Sequence, residues 1–273
     1  MAKGTRETVL ITGASGGIGE ELAKLFAAKG DDLVLASRSG EKLERLATSL
    51  RAAHRVRVEG LPIDLSTPAA PGEVRSFLES KGFSIDVLVN NAGFGTFGPF
   101  AESDPETELA QIQLNVATLT HLTRLLLPEM VARGRGRILN VASTAAFQPG
   151  PFMAVYYATK AYVLSFSEAL ANELRGSGVS VTCLCPGPTR TGFMARAKMG
   201  NPEILSKKSV MMEAEAVARR GFDGLMKGKR LVIPGILNKI LAHSTRLGSR
   251  GLSASVVRRL MEEIRSTGEP PAK

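Results

Sequence analysis

Short aliphatic runs recur along the first 190 residues, and longer stretches between them repeat apolar positions every three or four residues. The runs are Thr8–Thr12, Asp32–Ala36, Val56–Leu61, Val87–Asn90, Arg137–Val141 and Val179–Cys185, with a weaker one at Leu231–Pro234. Brief, nearly continuous apolar runs suit strands that are covered on both faces, and the helical stretches between them supply the cover. The pattern predicts an α/β fold: a doubly wound parallel sheet of about seven strands with right-handed crossovers.

The helical stretches carry their own start and stop signals. Ile18, Leu22, Leu25 and Phe26 make one apolar stripe, and Gly30 ends it. Leu43, Leu46 and Leu50 repeat the spacing. A long helix is expected over Glu106–Met130, with Asp104 as cap and Pro105 in the first turn. Another is expected over Tyr156–Leu174. No linker, repeat or low-complexity block interrupts the pattern, so residues 1–273 read as one domain. A polar, Met-rich segment at about 193–215 follows the sixth run without a clear period. Loops at the carboxyl ends of such strands border the ligand crevice, so this segment is expected to form a substrate flap.

Composition changes this picture in three places. No stretch of 18 apolar residues is present, and MAKGTRETVLITG lacks an apolar signal core, which points to a cytoplasmic protein without a membrane span. The two cysteines, Cys183 and Cys185, are two apart on one run and share a face; they suit small buried hydrophobes better than a disulfide or a metal site. The net charge of +9 is uneven. From Arg219 onward there are 12 Lys and Arg against 4 Asp and Glu, which makes about 235–273 a basic tail.

Candidate chemistry begins where the first run meets the first helix. Thr12-Gly13-Ala14-Ser15-Gly16-Gly17-Ile18-Gly19 lets the backbone turn tightly, and the helix N-terminus that follows offers N–H donors to a pyrophosphate. After the second run, a chain that binds NAD places an acid for the ribose 2′-hydroxyl. Here Ser37-Arg38-Ser39 stands instead, and Arg38 suits a 2′-phosphate, so NADP(H) is favoured over NAD(H). All three tyrosines, Tyr156, Tyr157 and Tyr162, lie on one expected helix. Tyr156 and Lys160 share a face at i and i+4, where an ammonium is expected to lower the phenol pKa toward neutrality. Ser143, at a strand end, can bond a substrate oxygen. Tyr157 is expected to pack rather than react.

Taken together, these motifs resemble the short-chain dehydrogenase/reductase family, in its single-domain Rossmann-type form, from the first strand to about residue 192. The matching stretches are Thr12-Gly13…Gly17-Ile18-Gly19, Asp64-Leu65, Asn90-Asn91-Ala92-Gly93, Asn115, Ser143, Tyr156…Lys160 and Pro186-Gly187…Thr191. The resemblance implies hydride transfer between a nicotinamide and a carbonyl or alcohol, with Tyr156 handling the proton. It implies that Asp64 binds the adenine amino group and that Asn91, Ala92 and Gly93 line the cofactor. It implies a proton relay of Asn115, Ser143, Tyr156 and Lys160, with Lys160 also on the nicotinamide ribose. Pro186, Gly187, Thr189 and Thr191 would hold the carboxamide. Gly16 and Thr159 stand where serine is common. Pairing through the two long helices into a homodimer or homotetramer is also implied.

Substrate identity is less legible. Phe94, Phe97, Phe100, Phe147 and Phe152 border the expected crevice and favour an apolar, acyl or steroid-like carbonyl compound. In the tail, Ile236, Leu237, Ile240 and Leu241 share a helical face near Lys239, Arg246 and Arg250, and Val256, Val257 and Leu260 accompany Arg258 and Arg259. This tail suits packing on its own or a neighbouring subunit, an anionic membrane surface, or a cover over an apolar channel. Nucleic acid is not expected, because no aromatic residues interleave with the charges. A membrane-peripheral protein, or a non-catalytic NADP-binding protein on the same fold, is the competing class; the second would be expected to lose Tyr156 or Lys160, and both are present.

Overall fold

The computed structural model describes residues 6–197, 199, 211–244 and 249–268. Seven parallel strands form the central sheet: β1 (Thr8–Thr12), β2 (Asp32–Ser37), β3 (Val58–Pro62), β4 (Val87–Asn90), β5 (Gly136–Val141), β6 (Val179–Leu184) and, at one edge, β9 (Leu231–Val232). Their order is β3-β2-β1-β4-β5-β6-β9, and a small second sheet pairs β7 (Thr189–Arg190) with β8 (Met212–Glu213). The chain winds outward from β1 in one direction and from β4 in the other, so the crevice opens at the carboxyl ends of those two strands.

The continuous apolar runs are explained by burial on both faces. Val9 and Ile11 of β1, Leu33 and Leu35 of β2, and Val87 and Val89 of β4 pack one way, with Leu22 and Phe26. Their alternates Leu10, Val34 and Leu88 pack the other way, with Leu122, Leu126 and Met130. The first face is covered by α1 (Gly17–Lys29), α2 (Gly40–His54) and α8 (Ala214–Met226), and the second by α3 (Ala70–Ser80), α5 (Leu119–Ala132) and α6 (Ala154–Glu173). Each fully buried Leu or Phe contributes on the order of 2 kcal/mol. Gly30 ends α1 in the left-handed region.

The expected helix over Glu106–Met130 is present but not uniform. It opens as α4 (Pro105–Ile112), capped by the Asp104 carboxylate, which accepts from the Thr107 N–H at 3.0 Å. It then widens into a π-helical turn, Gln113–Thr118, before continuing as α5. Such turns displace side chains out of α-helical register and recur at functional sites; this one carries Asn115. The helix over Tyr156–Leu174 begins two residues earlier than expected, at Ala154.

The segment after β6 differs from its pattern. Phe193–Arg196 forms a short helix, α7, and β8 ties residues 212–213 to β7 before α8 opens at Ala214. Between these, residues 198 and 200–210 of the expected flap lie outside the described residues, as does Arg246 of the tail. The tail supplies α9 (Ile236–Ser244) and α10 (Arg250–Gly268). Among the described residues, no helix is long and apolar enough to cross a membrane.

Candidate active site

A cavity of about 870 Å³ runs along the carboxyl ends of the strands. Its base is the glycine turn. Asn91, just after β4, donates its amide to the carbonyls of Thr12 (2.9 Å) and Gly13 (3.1 Å). Thr12 Oγ1 accepts from the N–H groups of Asn91 and Ala92. These bonds lash the turn to β4 and bring the backbones so close that side chains are excluded. A Cβ on Gly13 would lie 2.9 Å from Ala92 Cα, and one on Gly19 would lie 2.4 Å from the Gly13 carbonyl oxygen. Gly19→Ala is therefore expected to spoil the turn and raise the cofactor dissociation constant by more than about tenfold, as measured by calorimetry. Gly16 faces open space, so the serine common there is not sterically required.

At the far edge, Ser37, Arg38 and Ser39 after β2, and Asp64, Leu65 and Ser66 after β3, line the same cavity. Asp64 accepts from the N–H and hydroxyl of Ser66, and these bonds, with Arg38 nearby, hold its carboxyl below the usual range. The Ser37 hydroxyl is buried with no partner in the structure. Lys42, in the first turn of α2, joins this corner. The sequence signal was its place in the first turn of the helix that opens directly after Arg38 and Ser39.

Tyr156 and Lys160, on consecutive turns of α6, face the centre of the cavity together with Ser143. Two rows of bonds set α6 there. Buried Asn140 of β5 donates to Ser167 on α6 (2.9 Å) and accepts from Asn90 of β4 (2.9 Å). Asn115, 1% exposed on its π turn, donates to Thr159 (3.1 Å) and to the Phe94 carbonyl (2.9 Å), and accepts from the Phe94 N–H. Its side chain meets neither Lys160 nor Tyr156 directly; it lies behind Gly93, where a Cβ would come 2.9 Å from Asn115 Oδ1 and 3.4 Å from Lys160 Nζ. Thr159 supplies the hydroxyl that Asn115 needs, so its replacement of serine leaves the bond in place.

The electrostatics correct one expectation. Lys160 donates to the Val141 carbonyl at 2.8 Å and sits 5.8 Å from the Tyr156 ring centre. It does not lower the Tyr156 pKa here. Desolvation pushes that phenol up to about 12, against the effect of a hydrogen bond with Ser143. The same desolvation brings the Lys160 ammonium down to about 8, while the Cys183 and Cys185 sulfurs oppose that shift. Both cysteines are free, fully buried and 3.7 Å apart at sulfur.

The remaining wall is largely apolar. The Phe193 ring lies 5.1 Å from that of Tyr156. Met153, Met194, Met199, Leu237, Leu241, Leu260, Met261 and Ile264 continue the surface, the last five coming from α9 and α10 or, for Leu237 and Leu241, from the α9 face noted above. Gly187 presses on Asn238 of α9, which docks that helix on the loop after β6. Pro186, Thr189 and Thr191 line the cavity beside it. Of the five expected phenylalanines only Phe94 reaches the cavity; Phe97 and Phe152 pack behind it, Phe147 joins the core, and Phe100 is 65% exposed. Tyr157 packs as expected, but also forms part of the wall. Of the other residues expected at the site, only Gly19 and Asn115 stand back from the cavity surface.

The sheet order, the lashed glycine turn and the Tyr-Lys-Ser wall belong together in one family, and the chain belongs to it: the short chain dehydrogenase family model matches residues 7–201. Ketoacyl reductase HetN of Nostoc sp. is 34% identical over 220 residues, covering 79% of this chain and 75% of HetN. A short-chain dehydrogenase from Sphingobium yanoikuyae, solved in complex with NADPH, is 37% identical with a TM-score of 0.78, covering 84% of this chain and 88% of that one. A family member from Burkholderia phymatum, solved in complex with NAD, is 27% identical with a TM-score of 0.75, covering 100% and 99%. The chain is thus an oxidoreductase that acts on a carbonyl or alcohol with a nicotinamide cofactor.

Proposed function

We propose that this enzyme uses NADP(H) to interconvert an apolar, acyl or steroid-like ketone and its alcohol, with Tyr156 as proton donor or acceptor. The observation that carries the reading is the placement of Tyr156, Ser143 and Lys160 on one cavity with the glycine turn. A nicotinamide dinucleotide fits the residues present. The glycine turn leaves a side-chain-free cradle, α1 has no side-chain cap on its first N–H groups, and the buried Ser37 hydroxyl lacks a partner. Gly13, Ser15, Gly17 and Ile18 would hold the phosphates, Asp64 and Leu65 the adenine, Asn91 to Gly93 and Lys160 the nicotinamide ribose, and Pro186, Gly187, Thr189 and Thr191 the carboxamide. When bound, the nicotinamide supplies or accepts the hydride.

The chain's own residues handle the oxygen. Ser143 bonds the substrate oxygen and Tyr156 gives it a proton during reduction. Lys160, still charged near neutrality, stabilises the phenolate left behind. Asn115 acts as a positioning residue through Phe94 and Thr159. The Met- and Leu-rich wall supports an apolar substrate: kcat/KM is expected to rise with apolar bulk across a ketone series, and a preference for small polyols would overturn this.

Arg38 and Lys42 support NADP(H), since two cations face the corner where a 2′-phosphate would lie and neither has a carboxylate within bonding distance among the described residues. Arg38→Ala is expected to raise KM for NADPH by on the order of tenfold while moving that for NADH little. Equal changes for both cofactors would overturn the preference.

Two surface readings accompany this one. Leu109, Ile112 and Tyr162 are exposed on the long helices and support homo-oligomer pairing there. Ile236, Ile240, Leu252 and Val256 are exposed near Lys239 and Arg259, and support peripheral contact with an anionic membrane. Flotation with anionic liposomes tests the second; an enzyme that stays in the bulk phase contradicts it.

A further inference from the structure

The wall beyond Tyr156 restricts more than the carbonyl. Among the described residues, five charged side chains line the cavity: Arg38, Lys42, Asp64, Lys160 and Arg196. The first three follow β2, open α2 and follow β3, at the adenine end, and Lys160 belongs to the reaction centre. Arg196 stands apart from them. It sits in α7, in the stretch that follows β6, and β6 is four strand spacings from β2, roughly 19 Å across the sheet.

The surroundings of Arg196 are those of a substrate compartment. The Phe193 ring of the same short helix packs on Tyr156, and Met194 and Met199 join Met153, Tyr157, Met261 and Ile264 in one apolar cluster. No carboxylate answers the guanidinium among the described residues. Glu213 of β8, the strand that pairs with β7 just before α7, is bonded to Arg190 at 2.9 Å. A guanidinium at the rim of an apolar compartment offers a planar fork that matches a carboxylate or a phosphate.

We infer that the substrate carries an anionic oxygen group, carboxylate or phosphate, at the end remote from its carbonyl, and that Arg196 pairs with it. The inference rests on the carbonyl reading above and sharpens it: an apolar body lies along the methionines and leucines, the ketone meets Tyr156, and the anion meets Arg196. A neutral ketone of the same length lacks the last anchor.

The test uses straight-chain oxo-carboxylates, with the ketone moved stepwise from the carboxylate, together with their amides and the matching alkyl phosphates. For the best spacing, kcat/KM for the acid or the phosphate should exceed that for the amide by on the order of tenfold. In Arg196→Gln that ratio should collapse toward one, and in Arg196→Lys it should recover in part. Whichever anion shows the larger ratio identifies the group. Calorimetric titration of the cofactor-loaded protein with decanoate and decanamide gives a readout independent of turnover, and should show the same preference and the same loss. Ketone reduction with no preference for the anion overturns the inference and leaves the carbonyl reading intact. Anion-selective binding that Arg196→Gln abolishes, without ketone reduction, supports the inference and overturns the carbonyl reading. An Arg196→Gln variant that loses affinity for the cofactor instead places the guanidinium on the dinucleotide and overturns the inference.

Discussion

Tyr156→Phe should lower kcat for ketone reduction by about 10²- to 10⁴-fold while the cofactor dissociation constant stays close to wild type. The ring remains, so its packing on Phe193 and Tyr157 is kept and the fold is undisturbed. Only the hydroxyl is removed, and with it the proton that the substrate oxygen needs as hydride arrives. The high pKa of this phenol does not weaken its role as an acid. Pushed up to about 12 by burial, it is protonated throughout the neutral range. The difficulty is the phenolate formed in the step, and its stabilisation depends on a nearby charge. Stopped-flow measurement of cofactor oxidation in the variant, beside calorimetric cofactor titration, checks both halves.

Lys160→Met should be nearly as damaging to turnover, at least about 100-fold, but should raise thermal stability at pH 7. The ammonium is buried, and its pKa falls from the ordinary 10.5 to about 8. Below pH 8 it is charged both folded and unfolded, and the folded protein bears the whole desolvation cost, on the order of 3 kcal/mol. Between pH 8 and 10.5 the folded side chain is neutral while the unfolded one is still charged, so the cost fades. Above 10.5 it is gone. Methionine removes the charge at similar volume but leaves the Val141 carbonyl without its donor, which offsets about 1 kcal/mol. A rise in Tm of a few degrees is expected at pH 7, shrinking as the pH passes from 8 to 10.5. The wild-type reduction rate should fall as pH rises through about 8, where Lys160 loses its charge. A variant less stable at pH 7, or a rate indifferent to pH between 7 and 9, would contradict this use of Lys160.

Local spacing was readable in the chain, and contact between distant elements was not. The glycine turn and the Tyr156–Lys160 pair each depend on neighbours within one turn of backbone, so their geometry follows from the sequence directly. The sheet followed for a related reason: burial on both faces leaves continuous apolar runs that stand out from the helical period. The π turn that carries Asn115 was not legible, because its residues have ordinary helical composition and the extra residue shows only when hydrogen bonds are traced. Nor was the direction of the Tyr156 shift. An i and i+4 pair says that two side chains share a face, not that the lysine will prefer a backbone carbonyl to the phenol. The phenylalanines misled for a similar reason: nearness in sequence to the crevice placed five of them there, and only Phe94 lines it. The tail was legible as amphipathic, but that its inward residues Leu260, Met261 and Ile264 meet the cavity, and that Asn238 locks α9 against Gly187, required the folded chain.

The most direct test of the central claim is product formation. Purified enzyme, NADPH and a panel of apolar ketones should show loss of the nicotinamide absorbance with one alcohol formed per cofactor consumed, and slower loss with NADH. Cofactor that binds by calorimetry, yet is consumed with no ketone and formed with no alcohol in either direction, would contradict it and mark the chain as a binding protein on an enzyme's fold.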